Sequence, residues 1–117
     1  MAKEIAEQPL TLATTLENYL HEDPCDIILP KNNLKLTQIE SLTMVACGTA
    51  FYAALTAKYW FEKIARVRVE VDVSSEFLYR EPPIPKKTTA VFVSQSGETA
   101  DTLAALRYMS SHNANII

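Results

Sequence analysis

The sequence predicts an α/β fold of three layers, α/β/α, with helices on both faces of a parallel sheet. Short strand-like runs alternate with helix-like runs from about residue 42 to the end of the chain, the pattern of strands joined by helical crossovers. Two of those runs, Leu42-Thr43-Met44-Val45-Ala46-Cys47 and Thr89-Ala90-Val91-Phe92-Val93, are almost continuously apolar, as befits strands covered on both sides. The chain of 117 residues holds only two glycines, Gly48 and Gly97, against a usual share of about 7%, and each follows one of those runs.

Taken in order, residues 1–33 read as a linker with a helical arm and residues 34–117 as the body. In the arm, Leu12, Leu16 and Leu20 are spaced by four after Pro9, which predicts a helix over residues 10–21. Asp23-Pro24 and Pro30-Lys31-Asn32-Asn33 supply turn chemistry after it. A short amphipathic piece with Leu36 and Ile39 leads into the first strand, residues 42–47. Residues 51–65 are too long and too rich in helix formers for a strand and predict a helix covering the sheet.

Val67-Arg68-Val69-Glu70-Val71-Asp72-Val73 alternates apolar and charged side chains, the mark of a strand with one wet face at a sheet edge. Residues 74–80 predict a short helix capped by Ser74 or Ser75 and stopped by Pro82, Pro83 and Pro85. The third strand, residues 89–93, precedes a helix over residues 99–112 with Leu103, Leu106 and Met109 on one face. Asn115-Ile116-Ile117 reads as the opening of a fourth strand, so the fold is expected to be truncated there. A flavodoxin-like strand order, 2-1-3-4-5, puts the half-polar second strand at the edge and the first beside the third, where the winding reverses and ligands bind.

Function classes narrow on composition. Lys and Arg number 11 against 14 Asp and Glu, a net charge of −3, with no basic cluster longer than Lys86-Lys87; this gives no footprint for nucleic acid or an anionic membrane. No apolar run spans a bilayer and the N-terminus lacks a signal-peptide layout, so a cytoplasmic protein is expected. Cys25 and Cys47 lack metal-ligand spacing, and Cys47 reads as a buried thiol. Dinucleotide, P-loop and nucleophile-elbow motifs are absent. His21 and His112, each at a helix end, read as surface or capping residues, and Glu98 and Asp101 as capping acids. Tyr59, Trp60 and Phe61 read as core or inter-subunit contacts rather than a sugar platform.

The chemistry-bearing residues are those just past the first and third strands, Cys47-Gly48-Thr49 and Ser94-Gln95-Ser96-Gly97-Glu98-Thr99. Glycine lets the backbone turn sharply and bares N–H groups at a helix start, where the dipole favours an anion. Hydroxyls from Thr49, Ser94, Ser96 and Thr99 add donors, so a phosphate monoester is held without Lys or Arg. The same residues serve helix capping, but two such loops on neighbouring strands favour a phosphate cradle.

The stretches Val45-Ala46-Cys47-Gly48-Thr49, Lys58-Tyr59-Trp60-Phe61-Glu62, Ser75-Glu76-Phe77-Leu78-Tyr79-Arg80 and Ser94-Gln95-Ser96-Gly97-Glu98-Thr99-Ala100-Asp101-Thr102-Leu103 closely resemble the isomerase part of the glutamine:fructose-6-phosphate aminotransferases, also called glucosamine-6-phosphate synthases, in its first sugar isomerase (SIS) domain. Lys3-Glu4-Ile5 and Glu7-Gln8-Pro9 resemble the family's lead-in to that domain. The resemblance implies that Ser94, Gln95, Ser96 and Thr99 hold the phosphate of fructose 6-phosphate and that Cys47, Gly48 and Thr49 line the sugar. Ala50 stands where the family has serine. The resemblance further implies amino-sugar biosynthesis, no cofactor, no metal, and a homodimer in the full-length protein. The family's catalytic groups fall outside the matched region, and residue 2 is Ala rather than the glutaminase cysteine, so no catalytic residue is expected in this chain, which by itself binds substrate only. The alternative is a non-catalytic SIS module that senses an amino-sugar phosphate.

Three strands and a stub leave apolar surface and a partly unpaired edge. The isolated 117 residues are therefore expected to be marginally folded or to aggregate, and a sharp two-state melt from a monodisperse monomer would contradict this.

Overall fold

The computed structural model describes residues 1–20, 27 and 39–117. Contacts divide the chain into two compact units, Met1–Asn33 and Leu34–Ile117.

In the first unit, helix α1 runs over Ala2–Tyr19 with Pro9 inside it. It begins eight residues before the helix expected from the leucine spacing. Residues 2–8 are good helix formers, and two ion pairs, Met1 ammonium to Glu4 at 2.7 Å and Lys3 to Glu7 at 3.7 Å, tie the first turns together. Pro9 removes a single backbone donor and the helix continues through it. No α1 residue is buried. Leu20 caps the end and makes an isolated antiparallel bridge to Ile27. The expectations for His21, Asp23-Pro24, Cys25, Pro30-Lys31-Asn32-Asn33 and Leu36 lie outside the described residues.

The second unit is built on a four-stranded parallel sheet in the order β2-β1-β3-β4. Its elements are β1 (Ser41–Ala46), α2 (Gly48–Trp60), β2 (Arg68–Val73), α3 (Ser74–Arg80), β3 (Thr88–Val93), α4 (Ala100–Ser111) and β4 (Asn115–Ile116). This is the expected order as far as it extends, with the alternating strand β2 at the edge. Side-chain alternation on β1 and β3 creates two cores. Leu42 and Met44 join Val69 and Ala54 of α2, with Val91 and Val93 packed alongside. Val45 and Ala90 face the other way and meet Phe77 of α3 and Ala105 and Met109 of α4. The layers are therefore α2, sheet, and α3 with α4.

Several details depart from the sequence expectations. α2 starts at Gly48 rather than residue 51 and ends in a single π-helical turn, Phe61–Ala65, closed by Arg66 in the left-handed region. In that turn Glu62 accepts a hydrogen bond from the Val69 N–H, at 3.4 Å, on edge strand β2. Tyr59 and Trp60 are 66% and 64% exposed, so they are not core. The small residues Ala54 and Ala57 take the sheet-facing side of α2, and the aromatic rings fall on the opposite face. On α4 the buried stripe is Thr102, Ala105 and Met109, with Leu103 and Leu106 half-buried. A helix that lies close on a sheet places its small side chains at the contact and pushes the leucines to its flanks.

At the N-terminal end of the sheet, Lys87 Nζ donates to Glu40 at 2.6 Å. The two precede register partners Ser41 and Thr88, and the bond to the carboxylate holds the lysine above its ordinary pKa. No described helix is long and apolar enough to cross a membrane.

Met109 is fully buried while Leu103 is not, so Met109→Ala is expected to cost about 2–5 kcal/mol of stability and Leu103→Ala distinctly less. Urea denaturation of the two variants side by side checks the ranking, which a choice by hydrophobicity alone would reverse.

Candidate functional site

The parallel register decides where the two polar turns lie. Ala46 at the end of β1 pairs with Val93 at the end of β3, and also with Val73 at the end of β2. Cys47 and Ser94, the next residues, therefore leave the sheet side by side at its C-terminal edge. The expected residues Cys47, Gly48, Thr49, Ser94, Gln95, Ser96 and Thr99 all stand on these two turns or on the first residues of the helices that follow.

Both glycines take positive φ, +58° at Gly48 and +68° at Gly97. Four other positions, Arg66, Glu81, Lys87 and Asn113, adopt the same left-handed backbone with a side chain attached. Conformation alone thus does not account for glycine at these two turns. A Cβ placed on either would meet nothing within 4 Å, so what glycine adds there is open, unshielded backbone.

The hydroxyls of the second turn are already organised. Ser94 Oγ accepts the Gly97 N–H at 3.0 Å, and Ser96 Oγ accepts the Glu98 N–H at 3.2 Å. The N–H groups of Gly97 and Glu98 are therefore not bare, contrary to the simplest expectation for such a loop. A hydroxyl that accepts one bond keeps its own O–H to donate elsewhere, so the turn presents serine O–H groups of fixed origin instead.

Bare main-chain donors lie at the helix starts. Neither α2, with Cys47 at its N-cap, nor α4, with Thr99, has a side-chain cap bond. The earliest helical bonds run from Phe51 N to the Cys47 carbonyl at 3.4 Å and from Leu103 N to the Thr99 carbonyl at 3.0 Å. By helix geometry the N–H groups before those bonds have no partner within the helix. Capping by Thr99 or Ser96 therefore does not explain the hydroxyl cluster. Glu98 stands outside α4, ahead of its N-cap, and so is not a first-turn acid; Asp101 does occupy the first turn.

Two flanking residues read differently in three dimensions. Cys47 is half-buried rather than enclosed, because the chain leaves the sheet one residue earlier than expected. His112 caps the C-terminus of α4, where its Nδ1 lies 2.9 Å from the Tyr108 carbonyl and its ring lies 4.4 Å from that of Tyr108.

Sequence reasoning missed a third turn at the same edge. Ser74 is buried and bonds Thr102 of α4 at 3.0 Å between hydroxyl oxygens, instead of capping α3, whose N-cap is Val73. Asp72 accepts the Val73 N–H at 2.9 Å and an ion pair from Arg80, which clamps α3 to the end of β2. The one signal for Ser74 was its place directly after a strand whose end is level with the two glycine turns. Among the described residues no three His, Cys, Asp or Glu side chains gather in a way that would hold a metal. A small cavity of about 80 Å³ lined by Ser41, Arg68, Glu70 and Thr88 opens at the opposite, N-terminal end of the strands, away from these turns.

An open parallel sheet wound in both directions from β1, with hydroxyl-rich turns at the reversal, defines a doubly wound α/β domain. The chain belongs to the SIS domain family, whose model matches residues 35–117. It is 51% identical over 108 residues to glutamine–fructose-6-phosphate aminotransferase (isomerizing) of Zymomonas mobilis, a match covering 92% of this chain and 18% of that protein. Among solved structures, the C-terminal domain of glucosamine-fructose-6-phosphate aminotransferase from Francisella tularensis superposes with a TM-score of 0.84 at 38% identity, over 99% of this chain and 32% of that one. Glucosamine-6-phosphate deaminase from Thermotoga maritima superposes with a TM-score of 0.72 at 25% identity, over 98% of this chain and 32% of that one. The chain thus spans about a fifth of the curated relative's length and a third of each solved neighbour.

Gly97→Ala and Gly48→Ala are each expected to destabilise by about 1–2 kcal/mol through backbone strain alone, since no neighbour obstructs the new methyl group. Arg66→Gly, at φ +55°, is expected to shift the unfolding midpoint the other way. Equilibrium denaturation of the three variants tests both signs.

Proposed function

We propose that the turns after β1 and β3 bind the phosphate and sugar of a hexose 6-phosphate, fructose 6-phosphate, and that the protein works as a glutamine:fructose-6-phosphate aminotransferase that supplies glucosamine 6-phosphate for amino-sugar biosynthesis. The observation that carries the reading is the pairing of two uncapped helix starts across one strand contact, with Gly48 opening one helix and Gly97 standing just ahead of the other. The names of the relatives, two aminotransferases acting on fructose 6-phosphate and a glucosamine-6-phosphate deaminase, point to the same substrate class.

In this reading the Ser94, Ser96 and Thr99 hydroxyls, with the first-turn amides of α4, bond the phosphate oxygens, and Gln95 contributes its side-chain amide. The positive end of the helix dipole supplies the charge complement that a dianion otherwise takes from Lys or Arg. Cys47, Gly48 and Thr49 lie one strand away and contact the sugar. Ala50 offers no hydroxyl, so the first turn relies on Thr49 and main-chain donors. In this reading the chain's role is to bind and orient the sugar phosphate.

Calorimetric titration with fructose 6-phosphate, on the protein extended to complete the sheet, is expected to show binding that weakens at least tenfold in the Ser96→Ala, Thr99→Ala double variant, since each lost hydrogen bond to a charged group is worth about 1.5–3 kcal/mol. Unphosphorylated fructose is expected not to bind measurably. Equal affinity of the double variant and the unaltered chain would reject the assigned cradle.

A further inference from the structure

We propose that the buried Ser74–Thr102 hydroxyl pair positions the anion-binding turn, which makes Ser74 and Thr102 positioning residues of the site; the inference rests on the phosphate reading of residues 94–99. Ser74 and Thr102 are 1% and 4% exposed, with hydroxyl oxygens 3.0 Å apart. Ser74 is the first residue of α3, directly after β2, and Thr102 lies in the first turn of α4, three residues past the N-cap Thr99. The bond therefore links the entries of two helices at the edge of the sheet where the candidate turns stand.

Three other helical threonines bond within their own helix instead. Thr11, Thr15 and Thr56 each donate to the carbonyl four residues back, at 3.1, 2.8 and 3.0 Å. Thr102 has a comparable option in the Thr99 carbonyl three residues back, yet its hydroxyl meets a different element. Ala105 and Met109 hold α4 to the sheet further along by apolar contact, which is non-directional and tolerates small slides. Thr102 is the buried residue of the first turn, and its hydrogen bond is directional. It fixes where the Thr99 hydroxyl and the first amides of α4 point, and with them the Ser94–Glu98 turn that enters the helix.

The test combines fructose 6-phosphate titration with thermal melts of the full-length protein that carries this domain. Ser74→Ala together with Thr102→Val removes both hydroxyls and leaves no buried polar group unpaired, so stability stays close to that of the unaltered chain. The pair's orienting effect is lost, and affinity is expected to fall about 3- to 30-fold. Thr102→Ser keeps the bond and is expected to retain full affinity. Ser74→Ala alone lets Thr102 turn to its own helix carbonyl, so it keeps the fold and is expected to weaken binding as well; it supplies the answer if the double variant does not fold. Full affinity in folded Ser74→Ala, or in the folded double variant, overturns the positioning role while leaving the cradle intact. No binding by the unaltered chain, or no loss in Ser96→Ala, Thr99→Ala, rejects the cradle itself.

Discussion

The parallel pairing of β1 with both neighbours is the constraint on which everything else rests. One residue, Ala46, is in register with Val73 on one side and Val93 on the other, so three chain reversals begin level with one another. A slip of one residue in either pairing would turn Leu42 and Met44 away from α2 and put Val45 in their place. The two hydrophobic cores on opposite faces of the sheet hold that register, and the register in turn places the polar turns. Packing and chemistry are linked through this one alignment.

The strand order and the layer assignment were legible because apolar continuity in β1 and β3 and alternation in β2 report directly on how many faces of a strand are covered. The candidate turns were legible because glycine is so scarce in this chain that its two positions stand out. The less legible features depend on tertiary context. Helix α1 extends through Pro9 because local ion pairs and helix formers outweigh one missing donor. The sheet-facing stripe of α4 is made of Thr102, Ala105 and Met109, a mixed set in which hydrophobicity picks the wrong leucines. Ser74, one of two adjacent serines before a short helix, has the local signature of a cap, and only its distant partner Thr102 reveals otherwise.

The site is economical in charge. Its candidate donors are hydroxyls and main-chain amides, whereas the ion pairs Lys87 with Glu40 at the far end of the strands and Lys58 with Glu62 at the end of α2 lie elsewhere. Neutral donors held by backbone geometry carry little reorganisation cost, and in the proposed reading they discriminate a phosphate ester by direction rather than by attraction alone. That arrangement depends on rigid helix entries, and the positioning role proposed for the buried Ser74–Thr102 pair rests on this dependence.

The π-helical turn after α2 has a consequence for assembly. By accepting the Val69 N–H, the Glu62 carboxylate occupies a main-chain donor of β2, an edge strand of the described sheet in the order β2-β1-β3-β4. An incoming extended segment that sought to lengthen the sheet there would have to displace a charged group and desolvate it. The Glu62 carboxylate thus disfavours intermolecular strand addition at this position of β2.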